Sequence, residues 1–458
     1  MTICLLPFRT PTCGCTERVN TFITRPANSF IMKWGFAGGA WRELRSPLFK
    51  NALLLMANSP VNQAFGFLFW FIVARTYSTV DVGLAAASIA TVGMLGSIAA
   101  FGLGTGLVRY LPEAGDKADL MINSCLTLSG LAGLAAAGIF LLGAQWWAPQ
   151  MGFLTSHPVY AATFLAVNAA SAMAGTANGV FLARRQTRFI LWQSVIQGFR
   201  IPLPLVLVAF FGVFGIFGSW ALAMLVSTAI ALLWFIPLVQ PGYRPLPKVK
   251  RSAIGDLLHF SIVNYLAGIV GVIGGSVLPL VIVNILGPES VAHFYIASMM
   301  VGLLERIPAA VTSSLFAEGS QPDANFSRDV RRSARFLVPL MGIGIIVFCF
   351  FGDLLLGLFG KEYSDAALRL MQLLALSIGL GVIPGLYGIK LLIQKRVRRI
   401  MVLSSVGAIV SLGFVAILLP YRGLTGVGEA SLASNGVMAI LIGFLWRTDM
   451  RMATRRTA

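Results

Sequence analysis

The sequence predicts an all-α polytopic membrane protein of about twelve transmembrane helices, in two six-helix lobes related by a parallel internal repeat. Three observations carry that expectation. The 458 residues are 57% hydrophobic and only 11% charged, with a mean hydropathy of +0.82, whereas a soluble domain carries about 25% charged residues. The apolar residues fall in runs of about twenty or more, long enough to cross a bilayer as helices. The pattern of runs also repeats once along the chain.

Taken in order, the runs lie near 50–74, 82–108, 118–144, 158–183, 189–212 and 214–237, then 256–285, 291–317, 334–359, 366–391, 400–419 and 425–446. At 1.5 Å per residue each can span a core of about 30 Å. The join between the fifth and sixth runs has no polar loop. It is placed within Phe211–Gly218, where glycines permit a tight turn, because the combined stretch is too long for one span.

The first six starts pair with the last six at an offset near 210 residues. Leu182–Ile190 resembles Ile393–Met401, and Ala87-Ser88 falls at the same place as Ala297-Ser298. Six spans per half is an even number, so both halves share one orientation, about an axis along the membrane normal.

The expected organisation is a disordered cytoplasmic segment over 1–45, a first lobe over 46–239, a basic cytoplasmic linker over 240–253, a second lobe over 254–446 and a basic cytoplasmic tail over 447–458. Met32 is a second candidate start, and the first thirty or so residues lack a signal-peptide pattern. The linker joins the lobes: Arg244, Lys248, Lys250 and Arg251, with three prolines, cannot continue a membrane helix. It reads as a tether that lets the lobes rock and whose cations hold anionic headgroups.

The net charge of +18 would suit a nucleic acid, but the cations are spread over alternate short connections. Arg109/Lys117, Arg184/Arg185/Arg188, the linker, Arg328/Arg331/Arg332/Arg335, Lys395–Arg399 and the tail are rich in them, and the connections between carry only Arg75, Lys361 and Arg422. This positive-inside pattern puts both termini in the cytoplasm and predicts membrane-lipid rather than nucleic-acid partners. The five cysteines form no disulfide framework, and Cys13-Gly-Cys15 has no nearby histidine to complete a metal site.

Enzyme motifs are absent: there is no HExxH, GxSxG, GxxxxGK[ST] or CxxC. Gly102-Leu-Gly-Thr-Gly106 mimics a phosphate loop, but no strand precedes it, and close helix packing explains it better. No catalytic residue, metal or cofactor is expected. The candidates for function are instead polar groups inside spans, which are costly in hydrocarbon.

In the first span Asn51, Asn58, Asn62 and Gly66 share a face, and Pro60 can bend the helix as a gate. The fourth span repeats the pattern with Asn168, Ser171, Gly175 and Asn178. The fifth carries Gln193, Gln197 and Arg200, and Arg200 lies near the midplane, where a cation should meet water or an anion. The seventh carries Asn264, Gly268, Gly271 and Gly275 on one face. In the eighth, Glu305 and Arg306 are adjacent, so they point about 100° apart and each should meet something else. Lys390 ends the tenth span. Such an interior is cationic and amide-rich, which suits an anionic, hydroxyl-rich substrate.

Asn58/Pro60/Asn62, Gly106–Pro112, Arg184–Arg188, Gly215–Gly218 and Gly360–Ala366 resemble the polysaccharide transporter family of the multidrug/oligosaccharidyl-lipid/polysaccharide exporter superfamily, which includes O-antigen flippases. The resemblance covers roughly 45–446. It implies flipping of polyprenyl- or dolichyl-pyrophosphate-linked oligosaccharides across the cytoplasmic (inner) membrane, by alternating access, for polysaccharide and lipopolysaccharide biosynthesis. A polysaccharide assembly machinery is the partner this implies. Arg200 and Arg306 are then the candidates for the anion, and Asn58, Asn62, Gln197, Asn168, Asn178, Glu305 and Lys390 line the site. Two rivals stand. A cation-coupled multidrug or metabolite antiporter needs a carboxylate deep in one lobe, and Glu305 is the candidate. A membrane glycosyltransferase or polymerase needs a large acidic catalytic loop, which the sequence lacks.

Overall fold

The computed structural model describes residues 47–250, 254–262, 265, 276–319, 326–394 and 396–457. The expected segment 1–45 and the glycine face of the seventh span (Asn264, Gly268, Gly271, Gly275) lie outside them. Ten helices among the described residues are long and apolar enough to cross a membrane. Large apolar side chains such as Leu142, Phe350 and Ile440 are exposed on the outside of the bundle, as a lipid-facing surface requires.

The first half contains α1 (Pro47–Thr76), α2 (Thr79–Ala99), α3 (Leu103–Tyr110), α4 (Ala118–Leu142), α5 (Pro158–Ala183), α6 (Arg188–Gln197) and α7 (Leu203–Ile230). The second contains a helix over 254–262, α8 (Leu278–Leu286), α9 (Pro288–Gly319), α10 (Phe326–Phe350), α11 (Lys361–Ile393), α12 (Val397–Arg422) and α13 (Leu424–Thr457).

Local chemistry sets the joints. Ser78 caps α2 by accepting from the Asp81 backbone N–H at 3.2 Å. The second span breaks where Phe101 and Gly102 take φ of 45° and 67°. This left-handed step starts α3, and the sequence read one continuous span there. The turn between the fifth and sixth spans falls at Gly212, whose φ of 44° suits a residue without Cβ. That is inside the stretch where the glycines placed it.

Within the first half α2, α4 and α7 pack on α5, and within the second α9 and α13 pack on α11. The repeat extends to individual hydrogen bonds. Thr228 on α7 donates to the Ala170 carbonyl on α5 at 3.5 Å, and Asn435 on α13 donates to the Ser377 carbonyl on α11 at 3.2 Å. Ala170 and Ser377, and likewise Thr228 and Asn435, are 207 residues apart.

The lobes join on α2 and α9, the repeat-related second and eighth spans, through small residues. Ala85, Ala86, Ala87 and Ala297 are fully buried, and a Cβ on Gly83 would run into the Pro288 carbonyl. At the end of the bundle away from the linker the joint is reinforced. Arg75 Nε donates to the Leu358 carbonyl at 2.8 Å, Thr79 donates to Glu362 at 3.2 Å, and Phe67 and Phe71 meet Phe359 edge-on. At the linker end, α3 closes one flank by packing on helix 254–262. Arg109 lies 4.7 Å from the Phe260 ring centroid, and a Cβ on Gly106 would collide with Ser261 and Leu257. The glycines of Gly102–Gly106 are therefore helix-packing positions, Gly104 against Gly175 and Gly179.

The linker does not hang free between the lobes. Asn123 on α4 straps it down: its Oδ1 accepts from the Tyr243 hydroxyl at 2.7 Å and from the Leu246 N–H at 3.2 Å. Its Nδ2 donates to the Arg244 carbonyl at 2.9 Å. Ser124 accepts from the Lys250 N–H at 3.1 Å, and Arg184 donates to Gln240 at 2.6 Å. Of the linker expected over 240–253, residues 240–250 are held by these bonds on the surface of the first lobe.

Candidate functional site: a cavity between the lobes

A cavity of about 420 Å³ opens between the lobes. α1 supplies Asn58, Ser59, Asn62, Gln63, Gly66, Phe67 and Trp70, and α9 supplies Tyr295, Met299, Leu303 and Arg306, with Ile89, Arg200 and Trp220 completing the wall. Its blind end is aromatic. Trp70 and Tyr295 rings lie 4.5 Å apart across the lobe boundary, just inside the reinforced joint. Its mouth is polar, with Asn62 and Arg306 exposed.

The polar face of α1 is divided between two tasks by helical periodicity. α1 and α6 run side by side in parallel with a constant register. Thr187 donates to Asn51 Oδ1 at 3.0 Å, and two turns further on Ser194 donates to Asn58 Oδ1 at 2.8 Å. These bonds fix α1 to its own lobe. Asn62 and Gln63 are turned further round and face the cavity, with Asn58 at the edge of both. Pro60 sits inside α1, exposed. Having no N–H, it leaves the Met56 carbonyl without its helical partner.

Arg200 reaches the cavity because the fifth span tightens into a 3-10 turn at Gly198–Arg200. Its side chain is 8% exposed and lies over the Phe69 ring, 5.5 Å from the centroid. Its Nε has no hydrogen-bond partner. Gly66 adjoins it: a Cβ there would sit in ordinary contact, 3.8 Å from Arg200 Nη2. Arg306 approaches from the opposite lobe. Its Nη1 donates to Ser59 at 3.2 Å. The Gln63 amide, turned so that its oxygen faces the guanidinium, accepts from Nε at 3.2 Å and Nη2 at 2.7 Å. The arrangement can offer two guanidinium groups and several amides to one anionic, polar molecule, since guanidinium forks match phosphate and carboxylate oxygens.

The structure brings together Arg200, Arg306, Asn58 and Asn62 of the candidates and places the others elsewhere. Asn168 is fully buried in α5, with Nδ2 donating to the Phe164 carbonyl at 2.7 Å. It packs where α5 meets Gly133 of α4. Asn178 accepts from Gln193 at 3.1 Å inside the first lobe. Gln197, half-buried on α6, is not in the cavity wall. Lys390 lies over the Tyr387 and Trp446 rings, 5.6 and 5.3 Å from their centroids. Glu305 lines a separate cavity of about 280 Å³ within the second lobe, with Thr312, Gly381, Gly385 and Asn435. Adjacent residues on a helix diverge, so Arg306 points between the lobes and Glu305 into its own. Ser59, Gln63, Trp70 and Tyr295 were missed. Ser59 and Gln63 directly adjoin Asn58 and Asn62, and the aromatic residues read as ordinary apolar positions.

Among the described residues no cluster of three His, Cys, Asp or Glu could hold a metal ion. The fold and cavity define a polytopic membrane protein whose two lobes flank a central chamber. The model of the polysaccharide biosynthesis protein family matches residues 48–316, more than half of the chain, and the protein belongs to that family. No curated protein matches it in sequence. Among solved structures, the lipid II flippase MurJ in an inward closed conformation superposes with a TM-score of 0.71 at 12% identity, covering 87% of each chain. An inward-facing multidrug resistance MATE family transporter of the MOP superfamily gives 0.61 at 18% identity, covering 84% of this chain and 96% of that one. An outward-facing structure of a MATE family transporter gives 0.57 at 18% identity, covering 92% and 100%. The chain thus shares the multi-pass membrane fold of these structures.

Proposed function

We propose that the protein flips a polyprenyl- or dolichyl-pyrophosphate-linked oligosaccharide across the cytoplasmic membrane, with the linker end and both termini in the cytoplasm. The observation that carries this reading is the pairing of Arg200 from one lobe with Arg306 from the other in a single amide-lined cavity. Two cations facing one chamber suit a pyrophosphate, and Asn58, Asn62, Gln63 and the Trp70/Tyr295 floor suit sugar hydroxyls and ring faces. The cavity opens beside α1 and α9, so the isoprenoid tail can stay in lipid while the head enters. With the far end sealed at Gly83–Pro288, this is the state that takes substrate from the cytoplasm. Pro60 gives α1 a point at which to bend when the lobes exchange access. The organisation into lobes over 46–239 and 254–446 fits this cycle.

The family supports the polysaccharide pathway. A cation-coupled drug antiporter remains the second reading, on the cavity of Glu305. It would require lipophilic cations to bind beside Arg200 and Arg306, where like charge opposes them. The discriminating experiment reconstitutes the protein in liposomes. Transbilayer movement of a fluorescent lipid-linked oligosaccharide is the expected result. Drug-stimulated proton exchange without lipid movement would overturn the assignment.

A further inference from the structure

A third cavity lies outside both the chamber and the Glu305 cavity, and nothing in the proposed cycle uses it. It is a groove of about 320 Å³ on the first lobe, walled by α4 (Leu126, Leu131, Leu134), Met173 of α5 and the linker residues Leu246 and Pro247. The wall is almost wholly apolar. Of its polar side chains, Asn123 spends both its oxygen and its nitrogen on the linker, Tyr243 spends its hydroxyl on Asn123, and Thr127 adds one hydroxyl. The sixth span widens into a π turn over Ala231–Phe235 beside the groove, and Leu232 of that turn lines it. Such turns cluster at binding sites.

Two features say what fits. From Asn123 to Leu134 the groove follows eleven residues of α4, about 16 Å along the span from the linker end. It is therefore a long apolar slot beginning near the membrane surface. At its mouth the strapped linker holds Arg244, Lys248 and Lys250 exposed, and the bonds from Asn123 and Ser124 fix the backbone at Arg244 and Lys250, on either side of Lys248. A slot for one hydrocarbon chain under a fixed basic rim matches an anionic phospholipid.

We propose that the groove is a binding site for one anionic phospholipid, with an acyl chain along α4 and the headgroup on the linker cations. None of its lining residues belongs to the chamber between the lobes, and every wall is part of one lobe. The occupant is therefore a resident lipid that stays bound while the lobes move, and not the transported molecule. This assignment does not depend on which substrate the chamber takes.

The test uses the full chain, purified in mild detergent with either phosphatidylglycerol or phosphatidylcholine of identical acyl chains and measured by native mass spectrometry. The expected result is one phosphatidylglycerol retained per protein, with at least a tenfold preference over phosphatidylcholine. Leu131→Trp, at a position 57% exposed, should fill the slot and abolish retention; Leu134→Trp is the second variant should the first fail to fold. Combined Arg244→Gln, Lys248→Gln and Lys250→Gln should abolish the preference while leaving the melting temperature in phosphatidylcholine unchanged. Equal retention of both lipids by the native chain, or undiminished phosphatidylglycerol retention in a folded groove-filled variant, would overturn the proposal.

Discussion

Arg306 on α9 donates to Ser59 on α1 at 3.2 Å, and this bond ties the two lobes across the mouth of the chamber. It joins groups that the proposed cycle would separate, in contrast to the bonds from Asn51 and Asn58 to α6, which stay within one lobe. Arg306 is exposed and its hydrogen-bond partners are neutral, so under the proposed function its charge is open to an entering anion, with Ser59 and Gln63 holding it in position.

Replacing Arg306 should therefore impair transport far more than folding. Hydrogen bonds to charged groups contribute about 1.5–3 kcal/mol, so Arg306→Ala should slow lipid-linked oligosaccharide flipping by roughly 10- to 100-fold. Arg306→Lys should recover only part of the rate, because an ammonium lacks the planar fork. Initial rates in proteoliposomes against substrate density check this. Equal rates for native protein and Arg306→Ala at matched insertion would remove Arg306 from the site.

Arg200 predicts the opposite balance between stability and function. It is a buried cation with an unpartnered Nε, resting on an aromatic ring. Exchange of a buried charge for an apolar side chain of similar length is often neutral or stabilising. Arg200→Met should keep or raise the melting temperature in detergent while cutting transport at least tenfold. A large loss of stability would instead mark Arg200 as a structural residue of the first lobe.

These two residues also show what the sequence could and could not convey. Arg200 and Arg306 stand out because a cation deep in an apolar span has few reasons to be there. Their convergence on one chamber depends on how the lobes dock, through Gly83 and Pro288, and no spacing within either span encodes that. Asn58 and Asn168 illustrate the same limit. Both are span amides on an apparently polar face, yet one meets the chamber and the other donates to its own helix. Which face of a helix points to a partner helix and which to a cavity is settled by tertiary packing. The ten spans among the described residues and the repeat were legible because hydrophobicity and period alone determine them. The strapping of the linker was not, because Asn123 reads as one more amide in an apolar run.

The joint at Gly83 gives a conformational prediction. A larger side chain there collides with the Pro288 backbone, which cannot rotate away as a side chain can. Overpacking of this kind costs about 1–3 kcal/mol. Gly83→Val should weaken only the state in which the far end is sealed, and so shift the population toward the opposite opening by about five-fold or more. Spin labels at Val80 and Lys361, both exposed, would report this as a longer-distance component. An unchanged distance distribution in a folded variant would mean that the joint does not govern access.

Tyr243 offers a test of the linker strap that needs no substrate. Its hydroxyl donates to Asn123, and burial, with the nearby Asp119 carboxylate second, pushes the phenol up from 10.0 to about 12. Folding thus favours the protonated, neutral phenol. Its contribution to stability is complete below the unfolded value of 10.0 and is lost as pH rises through about 12. Tyr243→Phe removes the donor and the titration together. It should cost about 1 kcal/mol at neutral pH and flatten the fall in melting temperature between pH 10 and 12. Asn123→Ala leaves the hydroxyl and two linker backbone groups without their partner, so it should cost more and expose 240–250 to protease. If both variants melted like the native protein across this range, the linker would not be held by Asn123, and the basic rim over the groove on α4 would lose its support.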